Sequence, residues 1–414
     1  MAGQGIFPLL ISAGILLGAN GLVGTLIAVR ATIEGFPEVA IGLMGTAYFG
    51  GFFGGCVATP KLIARAGHIR VFAALSALAA IAALGFILVL DATFWIALRV
   101  VTGFAFSGLS MVVESWLNER AASADRARVL SLYRIIDLGA VTGSQFLLPL
   151  IGAEGFEIFA VTGMLFASAL IPICLSRAVS PKPPETTRLR PLWVWRLSPV
   201  AAAGCITLGM TNGAFRTIGP VYADAMGLSV DQVALFMSLG IAGGALLQYP
   251  LGWLSDRTDR RIALLLATAG AACASLYLAN LAETVNAIFL GSFLFGSFAL
   301  PLYSLSAAQA NDHAKAGEFI GLAAGLTLFY ALGATVGPFA SSLIIERFGP
   351  PAFFTYTSSL HGLFILFVLY RMTRRAAVPR TLRSRFVALL RTSPQIFRLS
   401  GASGDADRRM KDRP

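Results

Sequence analysis

Charge is scarce in this chain of 414 residues: 13% are Asp, Glu, Lys or Arg, against 56% hydrophobic, and the mean hydropathy is +0.75. A soluble domain of that length needs more polar surface, so a water-soluble globular fold is excluded. Cysteine is limited to Cys56, Cys174, Cys205 and Cys273, each inside a long apolar stretch, which implies no disulfide framework. His68, His313 and His361 share no metal-ligand spacing, and no Ser-His-Asp or Cys-His arrangement is readable. A G-x-x-x-x-G-K-[ST] phosphate loop is also missing. Neither an enzyme nor a cofactor nor a metal is expected.

What is there in abundance is apolar sequence of one length. Twelve stretches, near 7–29, 38–60, 71–90, 93–115, 128–151, 157–176, 198–220, 229–252, 262–281, 285–309, 319–345 and 351–370, match the roughly 30 Å hydrocarbon core of a bilayer at about 1.5 Å per helical residue. The first lacks a basic leader and is too long for a cleaved signal, so it reads as a span. Basic residues concentrate in alternate turns. Lys61, Arg65 and Arg70, then Arg120, Arg126 and Arg128, then Arg257, Arg260 and Arg261 fall on one side, while the opposite turns hold only Arg30 and Arg347. Translocated short loops are poor in Lys and Arg, so the basic turns and both termini are expected in the cytoplasm. The net charge of +11 is mostly local: twelve basic and three acidic residues follow from Arg371 onward. Those charges lie beside a membrane, so anionic headgroups rather than nucleic acid are the expected partner.

The chain also repeats itself. A shift of 192 positions brings Asn20-Gly21 onto Asn212-Gly213, Thr25 onto Thr217, Gly35 onto Gly227, Gly51 onto Gly243, Leu62 onto Leu254 and Arg65 onto Arg257. A further slip of two places Gly139 and Gly143 on Gly333 and Gly337. The expected fold is all-α: twelve transmembrane helices in two pseudo-symmetric six-helix bundles. The expected division is a first bundle over 1–176, a polar, Pro-rich cytoplasmic linker over 177–197, a second bundle over 198–370 and a basic tail over 371–414.

On these residues the chain resembles the major facilitator superfamily. The turn GWLSDRTDRR is similar to the superfamily signature G-x-L-S-D-R-x-G-R-R, with Asp259 where Gly is usual. In the matching first-half turn, PKLIARAGHIR, Arg65 and Gly67 are kept but Ala64 stands in place of the acidic residue. VVESWLNERA, RVLSLYR and GALLQYPLGWLSDR resemble the YcaD-like branch. The resemblance implies a secondary transporter whose halves rock about a central cavity, powered by an ion gradient. It also implies a cytoplasmic gate at Arg65, Asp256, Arg257, Arg260 and Arg261, whose charges pair in one conformation and release in the other.

Ionisable residues inside spans are costly and mark pathways. Arg134 and Asp137, at i,i+3 in span five, share a face and can pair, with Asp137 near the midplane. Arg99 and Gly103 form R-x-x-x-G, similar to a superfamily feature of proton-coupled members, and Arg99 reckons level with Gln145 across the hairpin. Glu114 closes span four, where burial beside Trp116 would suit a proton carrier and pairing with Arg126 or Arg128 would hold it ionised. Arg216 should face inward with Asn212 one turn earlier, and Asn20 is the half-repeat counterpart of Asn212. Asn20, Arg99, Arg134, Asn212 and Arg216 would give a cavity positive character offset by Asp137, pointing to an anionic or zwitterionic solute. Hydrophobic-drug export would not need so much buried cationic charge. Gln248, Tyr303, Gln309, Asn311 and Tyr330 are further cavity candidates, or bridges between helices. G-x-x-x-G-P in span eleven resembles the antiporter signature, but in span five Ser144 replaces the Pro, leaving direction open.

In the tail, Leu382, Phe386, Leu389 and Leu390 can line one face flanked by Arg383, Arg385 and Arg391, either lying along the headgroups or solvated. The expected protein is a monomeric, proton-coupled transporter of a small molecule. The alternatives are a transporter-like sensor or assembly factor without solute flux and, within transport, multidrug or metabolite efflux.

Overall fold

The computed structural model describes residues 6–120, 126–175, 190–315, 318–379, 383 and 386–389. Among them there are helices and turns and no strand. Hydrocarbon offers no water to backbone N–H and C=O groups, so each span satisfies them internally as a helix. Numbered in chain order, spans one to four are Ile6–Ile33, Glu38–Ala66, His68–Leu88 and Ala92–Arg120. Span five is Arg126–Gln145 continued by Leu147–Ile151, and span six is Glu157–Ser168 continued by Leu170–Leu175. Spans seven to nine are Pro199–Ala225, Val230–Arg257 and Arg260–Asn280. Span ten is Val285–Ala299 with Leu302–Asn311, and spans eleven and twelve are Phe319–Phe348 and Ala352–Arg374.

Eleven of these are long and apolar enough to cross a membrane, and twelve are if Pro191–Leu197 and Pro199–Ala225, bent by 116°, count as one. The linker is thus not wholly irregular. PLWVWRL, with Pro191 at the first helical position, forms a short helix whose Val194 is buried and whose Trp195 ring lies 6.2 Å from both Phe329 and Phe367. Breaks elsewhere follow proline chemistry. Spans five and six break three residues before Pro149 and Pro172, and span ten breaks at Pro301, because the ring removes an N–H and crowds the preceding turn.

The repeat has a conformational counterpart. Gly35 and Gly227 both adopt positive φ, +72° and +81°, in the turns after spans one and seven, a region that favours glycine. Gly51 and Gly243 are likewise equivalent in packing. A Cβ on Gly51 would stand 2.0 Å from the Val100 carbonyl oxygen of span four, and one on Gly243 2.2 Å from that of Phe293 in span ten. Such close backbone approach is how helices associate where lipid removes the hydrophobic drive. The other glycine pair diverges. Gly333 and Gly337 press on the Ile206 and Met210 carbonyls of span seven, whereas a Cβ on Gly139 or Gly143 meets nothing within 4 Å.

Spans two and eleven, five and eight, one and seven, and two and seven carry most of the contacts between the first six helices and the last six. Near the end away from the basic turns, Thr46 Oγ1 donates to the Thr335 carbonyl at 2.6 Å, with Gly42 and Gly45 packed against Ser342 and Pro338. Arg30 and Arg347, expected in turns, lie within the last turns of their helices. Arg30 pairs with Glu34 at 2.6 Å and donates to the Ala153 carbonyl at 3.0 Å. Its charge is answered locally, which accounts for this exception to the basic-turn pattern.

Candidate functional site

Where spans one, two, five, seven, eight and eleven meet, a cavity encloses about 1080 Å³ including its mouth. Asn20, Arg134, Asp137, Gln145, Asn212 and Arg216 line it, together with Tyr48, Phe49, Phe52, Phe215 and Tyr330. Six of the eight expected pathway residues are therefore brought together. The other two, Arg99 and Glu114, are not among its lining.

Span five supplies the ion pair that its i,i+3 spacing suggested: Arg134 Nη1 donates to Asp137 Oδ2 at 2.7 Å. Arg134 also reaches span eight, Nη2 donating to Gln248 Oε1 at 2.9 Å. Gln248 Nε2 in turn donates to Ser304 Oγ of span ten at 3.0 Å. The pair is thus the inner end of a hydrogen-bonded line crossing from the first half of the chain to the second. Gln248 serves as a bridge, and so does Tyr303, whose hydroxyl lies 3.3 Å from Thr327 Oγ1, whereas Tyr330 does line the cavity.

Arg99 does not meet Gln145. Gln145 is engaged with its own bundle, accepting from Thr25 Oγ1 at 2.6 Å and donating to the Val141 carbonyl at 3.2 Å. The Arg99 guanidinium instead stacks on Tyr48, 4.3 Å from the ring centroid, with Nε and Nη1 lacking hydrogen-bond partners among the described residues. Hairpin arithmetic fixes depth but not azimuth, and Gly103 turns this face of span four towards span two: a Cβ there would be 1.9 Å from the Tyr48 carbonyl oxygen. Tyr48 donates onward to Asn20 Oδ1 at 2.9 Å, so Arg99 stands one layer behind the cavity wall. Glu114 is wholly buried and accepts from the Tyr133 hydroxyl at 3.2 Å.

The five expected gate residues separate. Arg260 is 1% exposed, and its bonds include those to Asp312 Oδ2 through Nε at 2.5 Å, Ser255 Oγ at 3.1 Å and Asp256 Oδ1 at 3.3 Å. Asp312, absent from the sequence-based candidates, has its side chain 1% exposed. Its signal was an acidic residue in a turn of the basic side. Arg261 pairs with Asp259 at 2.6 Å. Asp259 also caps span nine by accepting the Arg261 N–H at 3.0 Å, which gives a physical use for an acidic residue where the signature has Gly. Burial alone would raise the Asp259 pKa, but Arg261 and, more weakly, Arg383 hold it below the usual carboxylate value. Arg257 is exposed and stacks on Trp253 at 4.0 Å, and Arg65 is exposed with no ion pair among the described residues. His68, expected in a turn, opens span three and is buried, and no group of metal-ligating side chains occurs among the described residues.

The tail does not leave this end bare. The Phe386 N–H donates to both oxygens of Asp256, at 2.9 and 3.1 Å, and its ring packs on Gly252. Leu389, 4% exposed, donates its N–H to Ser304 Oγ at 3.0 Å, and Arg383 bonds the Thr258 carbonyl. Phe386 and Leu389 thus face spans eight and ten rather than lipid headgroups or water. Leu382, Arg385, Leu390 and Arg391 fall outside the described residues.

A profile of the Major Facilitator Superfamily matches residues 9–326 and 201–403. An uncharacterized MFS-type transporter of Enterobacter sp. (strain 638) is 26% identical over 87% of this chain and 94% of its own length. The uncharacterized MFS-type transporter YcaD of Escherichia fergusonii is 25% identical over 90% and 97%. Among solved structures, the nucleoside transporter NupG superposes with a TM-score of 0.75 at 13% identity, covering 89% of this chain and 99% of NupG. A bacterial homologue of the human lysosomal transporter Spinster gives 0.68 at 14%, covering 98% of each. With helices of spanning length, a cavity of mixed polar and aromatic lining between its first six and last six helices and a family profile matched over most of its length, the chain belongs to the Major Facilitator Superfamily of membrane transporters.

Proposed function

We propose that this protein is a secondary active transporter that carries a small anionic or zwitterionic solute across the bacterial inner membrane by alternating access, driven by protons. The observation that carries the reading is the central cavity. It lies on the contacts between the two sets of six helices, so rocking one set against the other exposes the same residues to either side. In this reading the basic turns and both termini are cytoplasmic, the bundles divide at the 177–197 linker, and the protein acts as a monomer. Asp137 and Glu114 are the proton-carrying carboxylates, and Arg134 is the counter-charge that Asp137 releases when protonated. The nucleoside in the name of NupG does not carry over. At 13% identity the likeness reaches the fold alone, and a neutral solute leaves Arg216 unanswered.

Reconstitution into proteoliposomes with an imposed pH gradient tests the reading. Any ligand that stabilises the purified protein should be moved when the gradient is present and not when it is collapsed. A ligand that binds but never crosses, whichever way the gradient points, would favour a sensor over a transporter.

A further inference from the structure

Three charged side chains line the cavity among the described residues, and two of them neutralise each other: Arg134 and Asp137 at 2.7 Å. The third, Arg216, is half-buried and makes no hydrogen bond or ion pair among the described residues. One helical turn before it on the same face, Asn212 is 2% exposed with its Nδ2 donor unpaired. A buried polar group without a partner and a low-dielectric cation without a counter-ion are both costly, and both here point into one cavity. Behind its wall Arg99 adds a second positive charge, screened from direct contact by the Tyr48 ring.

We infer that Arg216 and Asn212 form the seat for the carboxylate of an aromatic monocarboxylic acid, which is the class of solute this cavity takes. The inference deepens the transport reading and rests on it for the cavity being the solute's path. A guanidinium presents a planar fork that matches a carboxylate at two points, with the Asn212 amide as a third donor. A zwitterion is disfavoured because its ammonium group would face Asp137, whose charge is already met by Arg134. A dianion is disfavoured because only one unanswered cation reaches the cavity. The remainder of the lining suits a flat apolar body: Phe49, Phe52, Phe215 and Tyr330 contribute to it, with Phe49 and Tyr330 in an edge-on pair at 6.3 Å.

The test measures binding to the purified full chain by thermal shift and titration, using benzoate, phenylacetate and indole-3-acetate, with benzamide and phenylacetamide as neutral isosteres. At least one acid should stabilise the protein, and its amide should bind at least about tenfold more weakly, the loss expected when a charge-assisted hydrogen bond is removed. Arg216→Gln should weaken the acid by at least about tenfold, Asn212→Ala by a few-fold, and Arg216→Lys by an intermediate amount, since it keeps the charge without the fork. Should Arg216→Gln fail to fold, the Arg216→Lys and Asn212→Ala losses decide. The proposal is overturned if no acid stabilises the wild type, if amide and acid bind alike, or if the variants bind as the wild type does. Flux of another solute without acid binding would remove the seat and keep the transporter. Acid binding without flux would do the reverse.

Discussion

Arg257 and Arg260 belong to one signature turn and carry equal charge, yet the structure assigns them very different weight. Arg260 and Asp312 have side chains 1% exposed, and their facing atoms are 2.5 Å apart. Coulomb attraction at that distance is about 7 kcal/mol for an effective dielectric of about 20. Most of it is cancelled by taking both ions out of water, but removing Arg260 takes from the buried Asp312 carboxylate a counter-charge at hydrogen-bond distance, at a cost of about 3–5 kcal/mol. Arg260→Ala should therefore destabilise the purified protein by that order, Asp312→Ala by less because Arg260 keeps Asp256 and Ser255, and the double variant by less than the sum of the two. Arg257 stacks on an exposed Trp253, so Arg257→Ala should cost about 0.5–1 kcal/mol. Equilibrium unfolding in detergent, run as a double-mutant cycle, measures both. Additive losses for Arg260 and Asp312, or equal losses for Arg257 and Arg260, would refute the greater weight given to the buried pair.

Asp137→Asn and Arg134→Gln should each impair gradient-driven flux while leaving expression intact; full flux in both would remove the pair from the mechanism. Gly103→Val should depress folded yield sharply because its Cβ meets the Tyr48 carbonyl, whereas Gly139→Ala, with open space at that position, should be neutral in the same assay. His313, in the turn after span ten, has its pKa lowered first by burial and further by Arg375 and Arg261, against the opposing pull of the Gln309 carbonyl and Asp312. The folded state binds its proton less readily than the unfolded state, so stability should fall as pH drops below the ordinary value of 6.5. Unfolding at pH 7.5 and 5.5 should show a smaller acid loss in His313→Gln, and an equal loss would show that the group is not responsible.

Spans were legible because hydrocarbon thickness sets their length, and the turn at Gly227 could be read from Gly35 because backbone conformation follows a repeated glycine. Contacts within one helix were equally accessible: Arg134 and Asp137 are neighbours by helical geometry alone. Contacts between helices were not. Arg99 was aligned with Gln145 by depth, but which neighbour a side chain meets depends on how each helix is rotated, and Gly103 sets that rotation through an approach no periodicity reveals. Asp312 escaped notice for a similar reason. Its partner lies 52 positions away on another helix, and only assembly makes the two meet. The tail's spacing suits an amphipathic strip, yet Phe386 and Leu389 pack into a protein cleft, which spacing within one segment does not reveal.

That cleft holds the tail by its main chain as well as by its apolar side chains. Asp256 and Ser304 each receive an amide hydrogen, from positions 386 and 389, and nineteen of the twenty amino acids can supply one. Proline alone cannot. Any other residue that fills the space of Phe386 against Gly252, or of the buried Leu389, would thus keep the same main-chain grip.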